Sequence, residues 1–131
     1  MVTDPVADFI IRVKNATMAG ADKAVVPYSK FVHAIAETLQ RAGFLAHVEK
    51  QGKKERKLLA VTVAKTDTGA VRVHEVKRIS KPGRRLYRRV HDIHAVRYGK
   101  GALVLSTPKG VLTDAEAREQ IVGGEALFEI F

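Results

Sequence analysis

The chain has 131 residues and no cysteine. That excludes a disulfide framework, a thiolate metal site and a Cys nucleophile, and with no sign of a secreted context the expected compartment is the cytosol. Long apolar runs are also missing. None approaches the ~20 residues a membrane span needs, and Met1-Val-Thr-Asp-Pro5 has no basic segment leading into an apolar one, so neither a crossing nor export is expected. There is no internal repeat, no low-complexity tract, no Walker A loop, no G-x-G-x-x-G and no G-x-S-x-G elbow; Gly99-Lys-Gly101 is too short to count. What is present is an ordinary apolar share of 46% with 10 Gly and 4 Pro, which is globular and fits one domain or two very small ones.

Acidic residues are the minority, 14 against 23 Lys and Arg, for a net charge of +9. This is the electrostatic footprint of a protein that meets a polyanion. Its distribution is uneven: residues 50–100 hold 16 basic and 4 acidic side chains, a net of +12, and the remainder holds 7 and 10, a net of −3. Residues 77–89 are the densest part, with seven cations in thirteen positions and no acid. A charge run is often only a solvated face. Here Ile79, Leu86, Tyr87 and the Pro82-Gly83 turn are interleaved with the cations, which favours a folded basic surface.

Asp4 before Pro5 reads as a helix N-cap, and Val6, Phe9, Ile10 and Val13 recur at helical spacing to about Thr17. Residues 24–28 form a strand candidate. Ser29 caps a second helix with the stripe Val32, Ile35, Ala36 and Leu39, closed by Gly43. Strands are expected over 44–50 and 57–64 around a polar turn, and the polar stretch 65–69 is the expected seam between two subdomains. Beyond it, strands are expected over 70–79, 84–90, 102–105 and 125–131, with a short helix over 91–96. A second helix opens at the capping box Thr113-Asp-Ala-Glu116. The fold class is therefore α/β in the α+β sense: an N-terminal α-β-α-β-β subdomain over 1–65, and a C-terminal, mostly β subdomain with short helices over 66–131.

Of five histidines only His91 and His94 lie close, with Asp92 between them, and no third ligand has a diagnostic spacing, so no metal is expected. Ser106 and Thr107 end an apolar strand where a nucleophile could be displayed, but no base partner is identifiable and no catalytic residue is assigned. The segment Ser106-Thr-Pro-Lys-Gly110 admits two readings. One is an ordinary turn with Pro108 at its second position; the other is a set of hydroxyls, a cation and exposed amides of the kind that bind phosphates, sugars and base edges. Lys81-Pro-Gly-Arg-Arg-Leu-Tyr87-Arg-Arg89 combines forked guanidiniums with a ring on which a base can stack. Gly123-Gly124-Glu125 offers close backbone approach and one carboxylate, which can accept from base or sugar donors or serve as a surface ion-pair partner.

Three motifs in order, Thr3-Asp-Pro-Val-Ala-Asp8 with Arg12-Val-Lys-Asn15, Ile79-Ser-Lys-Pro-Gly-Arg-Arg-Leu-Tyr87, and Leu105-Ser-Thr-Pro-Lys-Gly-Val-Leu-Thr-Asp114 followed by Glu116-Ala-Arg118 and Gly123-Gly-Glu125, resemble the small-subunit ribosomal protein S-eight family of bacteria and organelles. The resemblance covers essentially the whole chain. It implies a non-enzymatic protein without cofactors, membrane contact or small-molecule substrate, which binds the central domain of small-subunit rRNA early in assembly, in the cytoplasm. Its partners would be that rRNA, neighbouring small-subunit proteins and its own mRNA. By the same resemblance Ser106, Thr107, Pro108, Lys109 and Gly110 form the recognition loop, Tyr87 stacks, Lys81, Arg84, Arg88 and Arg89 hold phosphates, and Gly123, Gly124 and Glu125 face the same groove. Arg12, Lys14, Asn15, Ser29 and Lys30 match positions expected to make secondary backbone contacts. The family loop usually has Ser where this chain has Pro108, which removes a hydroxyl and an N–H donor; the C-terminus also lacks the family's usual apolar-Cys pair. The alternative is a sequence-indifferent RNA chaperone.

Overall fold

A computed structural model describes residues 4–65, 69, 72–96 and 100–131. They divide into two compact units, Pro5–His74 and Glu75–Phe131, with Asp4 belonging to the second. The basic middle of the sequence is therefore shared between the two units. Residues 66–68 of the expected seam lie outside the described residues.

In the N-terminal unit the order is α1 (Pro5–Met18), β1 (Lys23–Pro27), α2 (Lys30–Arg41), β2 (Leu45–Gln51) and β3 (Leu58–Val63). The strands form an antiparallel sheet in the order β1-β3-β2. One face of each helix explains why they form: Val6, Phe9, Ile10 and Val13 of α1 and Val32, Ile35, Ala36 and Leu39 of α2 are all buried. Each of these Val, Ile, Leu and Phe side chains contributes about 1.5–3 kcal/mol on leaving water, and Ala36 less. The Ser29 hydroxyl accepts the Val32 N–H at 3.1 Å and starts α2, and Gly43 follows its end at φ 90°.

The C-terminal unit holds β4 (Val76–Arg78), β5 (Tyr87–Arg88), a 3-10 turn (Val90–Asp92), β6 (Ala102–Thr107), β7 (Gly110–Thr113), α3 (Asp114–Gln120) and β8 (Gly124–Ile130). β8 is the central strand. β4 and β5 pair with its two ends, β6 pairs along its other edge, and β7 closes the sheet on β6. Ile93, Leu103, Leu105, Ala117 and Ala126 form a buried cluster, with Ile79, Val96 and Val122 packed against it. The capping box is complete: the Thr113 hydroxyl accepts the Glu116 N–H at 3.3 Å and the Glu116 carboxylate accepts the Thr113 N–H at 3.0 Å.

Three expectations need correcting. The strand expected over 70–79 is only Val76–Arg78; Arg72 N–H still bonds Ala64 in the first unit, whereas Glu75 pairs with Phe131 in the second, so one apolar pattern serves two units. Residues 70 and 71 lie outside the described residues. The strand expected over 84–90 is only Tyr87–Arg88, because Lys81 and Arg84 exchange both backbone hydrogen bonds at 2.9 Å around Pro82-Gly83 and hold that end as a tight turn. The helix expected over 91–96 is a single 3-10 turn, Val90–Asp92. Ile93 is extended at φ −91°, ψ 116° and buried in the core cluster, which stops the helix there. The turn expected over 106–110 is present as the tip of a hairpin, with Thr107 paired to Gly110, and β7 follows it directly.

Candidate nucleic-acid interface

Antiparallel pairing brings distant residues into one row. Tyr87 on β5 stands opposite Glu125 on β8, and Glu125 stands opposite Ser106 on β6. Directly opposed residues share a face and strands lie about 4.8 Å apart, so an aromatic ring, a carboxylate and a hydroxyl are aligned across roughly 10 Å. Around this row an open groove of about 690 Å³ is lined by Tyr87, Arg88, Arg89, Val90, Asp92, Ser106, Thr107, Pro108, Gly123, Gly124 and Glu125. Three stretches that the sequence keeps up to 38 positions apart thus meet in one concavity.

Tyr87 is 67% exposed, unusual for a ring that could be buried, and its face is open for stacking. The Arg88 guanidinium touches only the Tyr87 carbonyl, at 3.3 Å, and neither Arg88 nor Arg89 is paired with a carboxylate among the described residues. The Ser106 hydroxyl makes no hydrogen bond among the described residues and faces the groove. Aromatic, hydroxyl and guanidinium groups held by paired strands can stack a base, donate to its edge and neutralise the backbone beside it.

Other residues named from the sequence are occupied within the fold. The Thr107 hydroxyl donates to the Gly110 carbonyl at 2.7 Å and accepts from the Lys109 N–H at 3.1 Å, so it closes the hairpin turn. Pro108 holds φ near −65°, which forbids the primed turns that usually close two-residue hairpins; Gly110, at φ 110°, absorbs the mismatch. The Lys109 ammonium donates to the Gln120 carbonyl at 3.2 Å, at the C-terminus of α3 where a cation is favoured. Gly123 and Gly124 approach the protein's own backbone: a Cβ on Gly124 would fall on the Ser106 carbonyl, and one on Gly123 on the Arg88 carbonyl. Glu125 accepts from Arg85 at 3.1 Å, the ion-pair role of an acid in basic surroundings.

Lys81 and Arg84 carry the tight turn and do not line the groove. In the N-terminal unit, Arg12 bonds Asp8 at 3.1 Å and the Val25 carbonyl at 2.9 Å, Ser29 is spent on the cap, Lys30 is exposed, and Lys14 and Asn15 lie on α1. Sequence reasoning missed three contributors. Arg85 orients Glu125, Asp92 adds a carboxylate to the groove wall, and Ser80, 0% exposed, donates to the Leu86 carbonyl at 3.1 Å and accepts its N–H at 2.9 Å, fixing the strand that presents Tyr87. A polar residue flanked by Ile79 and Lys81 carries no signal of burial. Among the described residues no cluster of three His, Asp or Glu could hold a metal, and no helix is long and apolar enough to cross a membrane.

Comparison with known proteins identifies the family. The family model described as ribosomal protein S8 matches residues 4–131. A small ribosomal subunit protein uS8 of Dictyoglomus thermophilum is 44% identical over 126 residues, covering 96% of this chain and 95% of its own. The protein of that name from Rhizorhabdus wittichii is 40% identical over 130 residues, covering 99% and 98%. Its counterpart in Streptococcus sanguinis is 40% identical over 127 residues, covering 97% and 96%. With the match running through both units and every groove residue, the chain belongs to the ribosomal protein S8 family and is a ribosomal protein rather than an enzyme.

Proposed function

We propose that this protein is a structural constituent of the small ribosomal subunit, in the cytoplasm, that binds the central domain of small-subunit rRNA through its C-terminal half and supports subunit assembly. The observation that carries the reading is the row Tyr87, Glu125 and Ser106 with Arg88 and Arg89 beside it. Stacking and hydroxyl contacts read the RNA, and the two guanidiniums supply affinity without reading it. Lys109, Gly110, Gly123 and Gly124 shape the groove, and Lys81 and Arg84 extend the positive field beyond it. Arg12, Lys14, Asn15, Ser29 and Lys30 would add backbone contacts from the N-terminal unit. Neighbouring small-subunit proteins are further partners, and its own mRNA would compete for the groove if it folded into a shape like that of the rRNA segment.

The test is binding of the purified chain to a short transcript of the rRNA central domain and to an unrelated duplex of equal length, across a salt series. Preference for the transcript supports specific recognition; equal affinity for both leaves a sequence-indifferent chaperone. Arg88→Ala and Arg89→Ala should each lower the salt slope by up to ~0.9, whereas Ser106→Ala should cut discrimination with little change in slope. If the three variants behave alike, the division between positioning and reading is wrong.

A further inference from the structure

The net +12 of residues 50–100 separates into two surfaces. Residues 75–100 carry nine cations and two acids and belong to the unit with the groove; residues 50–74 carry seven cations and two acids and belong to the other unit. Five of those seven, Lys50, Lys53, Lys54, Arg56 and Lys57, sit on the hairpin between β2 and β3 with a single acid, Glu55. Every residue from 49 to 58 is exposed. Among the described residues none of the five cations pairs with a carboxylate, whereas Arg12, Lys65, Arg78, Arg85 and Arg118 each do. Like charges clustered without counter-charges repel one another, a cost, weakened by solvent and salt, that a polyanion would relieve.

The hairpin is also held in shape. Gly52 is at φ 94° and a Cβ there would fall on the Arg56 carbonyl; the Arg56 N–H donates to Lys53 at 2.9 Å. At its base the Lys57 carbonyl accepts the Tyr28 N–H at 3.1 Å, and the Lys50 ammonium stands 4.6 Å from the centre of the Tyr28 ring. A preorganised cationic loop loses less entropy on binding than a mobile tail. Residues 50–57 contain only Lys, Arg, Gln, Gly and Glu, and the Gln51 amide donates to Glu49. The loop has charge to neutralise phosphates and no ring or free hydroxyl to read bases.

We propose that this hairpin is a second RNA site, one that takes the phosphodiester backbone of an RNA segment without reading its sequence. The proposal rests on the reading of the chain as an RNA-binding protein, but not on the selectivity of the groove. The test uses the full chain carrying Lys53→Gln, Lys54→Gln and Arg56→Gln together, titrated with an unrelated RNA duplex across a salt series. The salt slope should fall by roughly 2–3 and low-salt affinity by tenfold or more, since each lost phosphate contact removes up to ~0.9 of slope. Preference for the central-domain transcript should persist or sharpen, and Lys53→Arg with Lys54→Arg should keep the parental slope. A triple variant with parental slope and affinity overturns the proposal, as does a parent that binds neither RNA. A parent that binds both RNAs equally, with slope still lost in the triple variant, overturns only the groove's selectivity and supports the hairpin site. As a check independent of the variants, backbone amides of residues 50–57 should shift when the duplex is added to the parent; no shift there also overturns the proposal.

Discussion

Helix α3 ends in a motif that is complete except for its usual residue. The Val122 N–H donates to the Ala117 carbonyl at 3.0 Å and the Ile121 N–H to the Arg118 carbonyl at 3.2 Å, while Val122 packs on the cluster that contains Ala117. This is the Schellman arrangement, in which glycine commonly takes the left-handed position. Here Ile121 takes it, at φ 54°, ψ 56°, with its side chain 77% exposed. A left-handed L-residue costs about 1–2 kcal/mol, and a β-branched one lies at the upper end. Ile121→Gly removes that cost and adds about 0.5–1 kcal/mol of unfolded-state entropy, and little buried surface is lost. The expected result is a gain of about 1 kcal/mol in urea unfolding followed by circular dichroism, and a melting point higher by about 4 °C. Ile121→Ala, which keeps an L-residue in place, should gain less. RNA selectivity should not change, because residue 121 lies outside the groove. Equal or lower stability of the glycine variant at unchanged m would refute the strain argument.

Two further perturbations follow from single contacts. Ser80→Ala leaves the half-buried Leu86 N–H without its acceptor, while the Leu86 carbonyl keeps the Ala126 N–H at 2.9 Å, and should cost about 1–2 kcal/mol in urea unfolding; a loss below about 0.5 kcal/mol would mean that water replaces the hydroxyl. The Asp22 carboxyl is held below the usual carboxylate range by the hydrogen bond from Lys65, at 2.6 Å, and by its charge. Since the folded value is the lower one, this contribution is present above the unfolded pKa and is lost as pH falls through the folded value. Lys65→Met should therefore raise the Asp22 midpoint measured by NMR and flatten the acid limb of stability; an unmoved midpoint would contradict the pairing.

Helices and caps were legible in the sequence because their causes are local. The stripes of α1 and α2, the Ser29 cap and the Thr113 capping box each depend on residues within a few positions of one another. The failures lie where partners are distant. Nothing local tells that residues 70–79 cross from one unit to the other, or that burying Ile93 halts a helix after one turn. The strand β7 stayed hidden because Pro108, Lys109 and Gly110 read as a loop, although they form one of the tightest turns in the chain. At the site, composition identified residue types, but their division of labour needed coordinates. Among the described residues the side chains of Ser106, Tyr87, Arg88 and Arg89 have no side-chain partner, while Thr107, Gly123, Gly124 and Glu125 spend their special chemistry on the fold itself.

RNA binding by this chain is proposed to occupy the groove between β5, the β6–β7 hairpin and the start of β8. Its most direct measurement is an NMR titration of the labelled full chain with the short central-domain transcript, read residue by residue. The largest shifts and the strongest intermolecular contacts should fall on Tyr87, Arg88, Arg89, Ser106 and the backbone of residues 107–110 and 123–125. Saturable binding that leaves those residues unmoved, with the perturbation on another face, would contradict it.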